Sequence, residues 1–390
     1  MLIAIDALPI TNLSGRHVLS GHLANLARAH RDRHRFLVLY HRGNRDLRRD
    51  LGDHVQWLEC PAVGAGWVGR LLWQAVRLQP LLTRFGVNLV ISTSGALIPG
   101  VPIPQVVLAQ NPWCYFPQFH QNLADRVKAY LQRIGYRAAQ RRACGIFYLS
   151  EYVAKLYRDD AHCAPVRGQV LYVGVDEETF EAARVRKRFA ERELEVVTVS
   201  VMTPHKAIED VVQVMAKVQA AGVPARLALV GPWSDDNYRH EIETLIARLG
   251  LRERVTITGQ VTIEQLHAHY ARARVFCLLS RCESFGIPAI EAQCFGTPTV
   301  VADVCAPPEV AGPGGDALPP DALDETAARL VTLLTERDAW QACSDRALLN
   351  AERFRWGRVS DPLISFLAEF PLTPELKHPG HPGAGKGVGL

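Results

Sequence analysis

The sequence has no long hydrophobic run. Its most apolar stretch, Ala96 to Ala109, is interrupted by Pro99, Pro102 and Pro104. No uninterrupted segment nears the roughly 18 residues that cross a bilayer. Met1-Leu-Ile-Ala-Ile-Asp6 reads as a short strand ending in an acid, so no signal peptide is expected. Cysteine is sparse and unpatterned: nine residues, an odd number, without Cys-x-x-Cys or Cys/His ligand spacing. That argues against a zinc module or a disulfide framework and for a reducing, cytoplasmic compartment. Cys277, Cys282, Cys294 and Cys305 fall in or beside expected core elements, where a thiol is a small hydrophobe. Excess charge is also lacking: 44 basic against 40 acidic residues leave a net +4, too little for nucleic acid to be an expected partner. No repeat of short period is present.

The 390 residues are enough for two ordinary domains, each with its own core. Hydrophobic residues at 48% and charged residues at 22% suit a globular chain. Short apolar runs alternate with helical patterns. In the first half the runs are Leu2–Ile5, Phe36–Tyr40, Val87–Ser92, Pro104–Ala109 and Gly145–Ser150. Leu19, Leu23, Leu26 and Ala27 share one helix face. In the second half the runs are Glu195–Ser200, Arg226–Gly231, Val255–Val261, Ala273–Leu279 and Thr297–Ala302. Such alternation predicts parallel sheets with helical crossovers. Between the halves, Arg184 to Glu195 is dense in charge and reads as exposed connecting chain.

The stretch from Ser280 to Gly296 concentrates the chemistry. A buried strand runs into a tight loop with Glu283 and Gly286, then into a helix with Pro288 in its first turn. Free amides at a helix N-terminus attract phosphate. A carboxylate accepts from two hydroxyls of a sugar diol. Glu291 is equally compatible with plain helix-dipole stabilisation. Glu283 follows a strand, where open α/β sheets place ligands.

Glu283-Ser-Phe-Gly-Ile-Pro-Ala-Ile-Glu291, with Ser280 before it and Ala292, Gly296, Pro298 and Val300 after it, resembles the Glu-x7-Glu motif of retaining glycosyltransferases of family 4. The segments Leu171–Asp176 with Phe180, and Pro307-Pro-Glu-Val-Ala-Gly312, resemble that family's junction and its Pro-Glu-x-x-Gly. The resemblance implies a GT-B fold, two Rossmann-like domains facing a cleft. The expected boundaries are 1–175 for an acceptor-side domain and 176–360 for a donor-binding domain, then 361–372 for a helix crossing back and 373–390 for a disordered tail. It further implies a metal-independent hexosyltransferase without cofactor. The donor would be a nucleoside-diphosphate sugar, with mannose or glucose favoured. The acceptor would be a glycan or lipid-linked saccharide in cell-surface polysaccharide synthesis.

By the same resemblance Glu283 and Lys206 are the catalytic candidates. Glu291 would hold the ribose, and the amides of Ser284, Phe285, Gly286 and Ile287 the sugar and phosphate. Gly259, Gln260 and Val261 would meet the base. Gly15 and Arg16 would lie near the phosphates, where relatives carry a glycine pair. Relatives also carry Gly-Arg where this chain has Ser200-Val201, so His205 or Arg16 is expected to supply the second cation. Gln110-Asn111 stands where many relatives have a His, which leaves Asn111 as the sugar-side contact. Leu123 to Cys144 reads as a basic amphipathic helix, either a solvated face or a contact with the inner face of an anionic membrane. Alternative functions are another GT-B enzyme, an epimerase or phosphorylase, and a non-catalytic sugar-nucleotide binder.

Overall fold

The computed structural model describes residues 1–60, 66–165 and 167–371. The first domain runs β1 (Leu2–Asp6), α1 (Leu13–Ala29), β2 (Arg35–Tyr40), β3 (Val55–Glu59), α2 (Gly66–Trp73), α3 (Gln79–Phe85), β4 (Leu89–Ser92) and β5 (Gln105–Ala109). It continues with α4 (Leu123–Arg142), β6 (Gly145–Tyr148), α5 (Glu151–Ala161) and β7 (Gly168–Val170). Its seven strands lie in the order β3-β2-β1-β4-β5-β6-β7, every pair parallel. Strands β4, β5 and β6 are buried along their whole length, as expected when helices cover both faces.

The second domain follows α6 (Glu177–Ala182) with β8 (Glu193–Val199), α7 (Ile208–Ala220), β9 (Arg226–Val230), α8 (Asp236–Arg248), β10 (Val255–Gly259), α9 (Ile263–Arg272) and β11 (Ala273–Leu278). Then come α10 (Ile287–Cys294), β12 (Thr299–Ala302), α11 (Pro307–Ala311), β13 (Gly315–Leu318), α12 (Leu323–Thr335), α13 (Arg337–Ala351) and α14 (Trp356–Glu369). Its six strands lie in the order β10-β9-β8-β11-β12-β13, again all parallel. Two parallel, doubly wound sheets make this the GT-B fold.

α14 returns to the first domain. Its Leu363, Phe366 and Leu367 bury against Leu19, Leu23 and Leu26 of α1. It begins at Trp356 and carries Pro362 inside it, so it starts earlier than the apolar segment at 361 suggests. Trp356 is wedged against Gly21 and Gly174. A β-carbon at either glycine would lie 2.1 or 2.3 Å from the indole, so no larger residue fits without movement. The tail expected at 373–390 lies outside the described residues.

The charged run Arg184 to Glu195 is not uniformly exposed. Arg192 is 4% exposed and donates to the carbonyls of Tyr270, Ala273 and Phe295 and to Thr297 Oγ1. Glu195 is equally buried and accepts from Arg272 Nε at 3.0 Å. A buried cation is tolerated when carbonyls replace its water. Here it ties the ends of α9 and α10 to β8.

Candidate donor-binding cleft

The carboxyl ends of β6 and β11 face each other. Ser150 Oγ, just after β6, lies 3.4 Å from the Ser284 carbonyl in the loop after β11. Glu309, in α11, accepts from the Glu151 and Tyr152 amides at 2.8 and 3.1 Å. The second domain therefore caps the N-terminus of α5 in the first.

On the second-domain side Lys206 Nζ donates to Glu283 Oε2, with both side chains about one-sixth exposed. Each comes from a chain reversal at a strand's carboxyl end. Lys206 ends a short turn, Pro204–Lys206, that is closed by Ala207 in the left-handed region. Glu283 lies between β11 and α10. Gly286 starts α10 at φ 97 and no side chain caps the helix. The loop amides Ser284 to Ile287 thus head a helix whose N-terminus lacks an internal acceptor. Phe285 contributes only backbone to this edge, because its ring is 2% exposed and packs with Tyr172 and Phe354. Ser280 Oγ is fully buried without a partner beneath the loop.

Glu291 lies one helical step deeper. Its Oε2 accepts from Tyr270 OH at 2.8 Å. Burial raises its pKa, while the Tyr270 hydrogen bond, and to a smaller extent His17 of α1, counteract the rise. His17 in turn bonds the Gly174 carbonyl at 3.0 Å, at the junction between domains. Gly259, at φ 69, accepts from the Gly231 amide, with Gln260 exposed and Val261 partly buried beside it.

Several expected groups are already committed. Gly15 is not in a loop but in the first turn of α1, where its amide meets the capping Asn12 side chain at 2.8 Å. Arg16 is held by Asp46 at 3.0 Å and by the Thr11 and Gly43 carbonyls, so it is not a second cation. The His205 ring bonds Thr203 Oγ1 at 3.0 Å, and burial and the Lys206 charge lower its pKa. Arg281 is paired with Glu209 and Asp210. Asn111 Oδ1 accepts from the Trp113 amide at 2.9 Å, which leaves its amide nitrogen for a ligand. Asp235 caps α8 through the Asn237 amide, a structural use. Tyr270 is a contribution the motif reading did not pick out, and Glu309 was read only as part of the Pro-Glu-x-x-Gly segment, without a role. Nothing in local sequence spacing pairs Tyr270 with Glu291 or Glu309 with α5.

The comparisons with known proteins agree with this architecture. Residues 19–179 match the family model described as Glycosyltransferase Family 4, and residues 179–348 match Glycosyl transferases group 1. The chain has the GT-B fold and is similar to glycosyltransferases over residues 19–348. The MMP alpha-(1->4)-mannosyltransferase of Mycolicibacterium hassiacum is 30% identical over 212 residues, covering 53% of this chain and 49% of that protein. The alpha-D-kanosaminyltransferase of Streptomyces kanamyceticus is 25% identical over 331 residues, covering 80% and 84%. The chain spans about half the length, or less, of the curated relatives it matches at 30% identity or above. Among solved structures, sucrose-phosphate synthase from Thermosynechococcus elongatus superposes with a TM-score of 0.73 at 17% identity, covering 94% of this chain and 98% of that one. Anabaena HepE in complex with UDP and glucose gives 0.71 at 19%, covering 94% and 99%. At such identities these likenesses speak for the fold. No helix among the described residues is long and apolar enough to cross a membrane.

Proposed function

We propose that this GT-B chain is a retaining, metal-independent glycosyltransferase. It moves a hexose, mannose or glucose, from a nucleoside-diphosphate sugar to a glycan or lipid-linked acceptor of the cell surface. The observation that carries the reading is the Lys206–Glu283 pair beside the uncapped start of α10, facing the other domain. The Glu283 carboxylate suits the hexose hydroxyls, Glu291 the ribose diol, and the loop amides the diphosphate. As the bond from the anomeric carbon to the diphosphate breaks, negative charge grows on the leaving oxygen. Lys206 offsets that charge. The acceptor oxygen bonds to the anomeric carbon on the face being vacated, and its proton goes to the departing phosphate. Asn111 offers its amide on the acceptor side.

The test is release of nucleoside diphosphate from UDP- and GDP-hexoses by the purified chain, with the product's anomeric configuration read by NMR. Release with retained configuration is expected. An inverted product removes the retaining assignment, and no release from any donor leaves a binding protein instead.

The acceptor reading draws on α4. Leu123, Val127, Tyr130, Leu131 and Ile134 form an exposed apolar stripe, flanked by Arg126 and Lys128. Arg133 and Arg137 are not free basic groups, since both pair with the buried Asp160. The face is therefore more apolar than a count of its arginines implies. We assign it to peripheral contact with an anionic membrane at the cytoplasmic side. Liposome sedimentation with and without anionic lipid tests this, and equal binding to both ends it.

A further inference from the structure

Beside Lys206 and Glu283 the cleft holds a second pair of reactive groups. Cys282 immediately precedes Glu283, and Cys305 lies on the loop after β12. The two segments run side by side. Cys305 Sγ is 3.8 Å from the Arg281 carbonyl, and the Ala306 amide donates to the Glu283 carbonyl at 3.4 Å. Arg281 and Glu283, on either side of Cys282, both meet this loop, so residues 282 and 305 lie opposite each other. Cys305 has φ 61, a left-handed conformation that a β-carbon disfavours. The surrounding contacts thus hold its sulfur in place despite the backbone. Both residues are partly exposed, as are Cys144 and Cys163 elsewhere in the fold, whereas the other five cysteines are buried. The neighbouring Cys282 thiol holds Cys305 below its ordinary range, and Cys305 together with burial holds Cys282 above. Cys305 is accordingly the nucleophile and Cys282 the resolving thiol.

We propose that Cys282 and Cys305 form a thiol site that takes low-molecular-weight disulfides and closes to an intramolecular disulfide beside Glu283. The Cys305 thiolate, its proton given to solvent, attacks one sulfur of the small disulfide. A Cys305–S–S–R bond forms, and one thiolate leaves. That thiolate takes the Cys282 proton. The Cys282 sulfur attacks Cys305 Sγ and expels the second thiolate, which is protonated by solvent. Two protein thiols are oxidised and one small disulfide is reduced to two thiols. The new bond ties the loop carrying Glu283 to the loop after β12. Its effect on turnover rests on the transferase reading above, but the thiol chemistry does not.

The experiment incubates the full chain with oxidised glutathione and follows intact mass, peptide mapping and nucleoside-diphosphate release. Wild type is expected to lose two hydrogens and yield one linked peptide joining Cys282 and Cys305. Release should fall at least about fivefold and return with dithiothreitol. Cys282→Ser should stop with one glutathione on Cys305, and Cys305→Ser should gain neither adduct nor link. A link between other cysteines, or glutathione retained elsewhere or nowhere in wild type, overturns the site. A link at Cys282–Cys305 with unchanged release overturns its effect on turnover. A correct link in a chain that never releases nucleoside diphosphate supports the site and counts against the transferase reading.

Discussion

On the second-domain wall of the cleft, Lys206 meets Glu283 at the open edge of a helix that has no capping side chain. On the facing wall, Arg16 is held by Asp46 and two carbonyls, and Asn111 Oδ1 by the Trp113 amide. The same residue types thus serve differently on the two sides. Polar groups of the first domain shape their own loops, whereas those of the second are left to one another across a small gap. An ion pair of this kind is exchangeable. In the donor complex proposed above, hydroxyls at Glu283 would release Lys206 toward a phosphate.

The sharpest way to break that contrast is to delete side chains from both walls. Lys206→Ala should lower turnover at least about a hundredfold, since it removes a preorganised charge from the leaving group. Glu283→Ala should lower it at least about tenfold, or about 1.4 kcal/mol of transition-state stabilisation. Arg16→Ala should leave kcat within about threefold and act on stability, because its bonds are internal to the first domain. Steady-state kinetics and a thermal melt on the three variants decide the matter. Comparable losses of kcat at Arg16 and Lys206 would show that both walls hold phosphate.

Much of this was legible before the coordinates, for a physical reason. Buried parallel strands are continuous apolar runs, so β1, β5, β8, β9 and β11 stand out within a residue or two. The edge strands β3 (Val55–Glu59) and β13 (Gly315–Leu318) are partly exposed, carry polar residues, and do not. The site was legible where one continuous segment carries it, from Glu283 to Glu291. It was illegible where partners come from distant chain. Arg192 sits in a charged run yet is buried on carbonyls some 80 residues away, as in its bond to Ala273. Glu309 caps a helix 158 residues earlier. Arg16 could not be told from a phosphate ligand without Asp46 beside it.

The first-domain wall also depends on its mount. Behind the cleft, His22 of α1 and His30 and His34 just beyond it bond Ser360 Oγ and the Ile364 and Leu367 carbonyls of α14. Burial lowers all three pKa values, His22 to about 3. The folded state therefore keeps His22 neutral while the unfolded chain takes up a proton near its ordinary value. Above about pH 6.5 the residue costs nothing; below it stability is lost progressively, down to the folded value. At about pH 5 that loss is about 2 kcal/mol for His22 alone. Thermal melts at pH 7 and 5 should show it, and His22→Gln, which does not titrate, should lose about 2 kcal/mol less over the same interval. Equal pH dependence in the two proteins would show that α14 does not rely on a neutral His22.

The smallest expected effect concerns how the walls are kept together. Glu309 places both carboxylate oxygens on the first-turn amides of α5, at 2.8 and 3.1 Å. The helix already has its own cap, since Ser150 Oγ accepts from the Val153 amide at 3.2 Å. Losing Glu309 therefore should not unravel α5; it removes a bond between domains. Glu309→Gln keeps one acceptor oxygen and loses the charge that favours a helix N-terminus, a change of about 1 kcal/mol. That shifts an open–closed equilibrium about fivefold toward open. Small-angle scattering should report a larger radius of gyration for the variant, and saturating nucleoside diphosphate should reduce the difference by bridging the walls. The expected effect rests on Glu309 joining the walls through α5, next to the loop whose Ala306 amide meets the Glu283 carbonyl. Unchanged scattering together with an unchanged donor KM would place the control of closure elsewhere, in the junction around Trp356, Gly21 and Gly174.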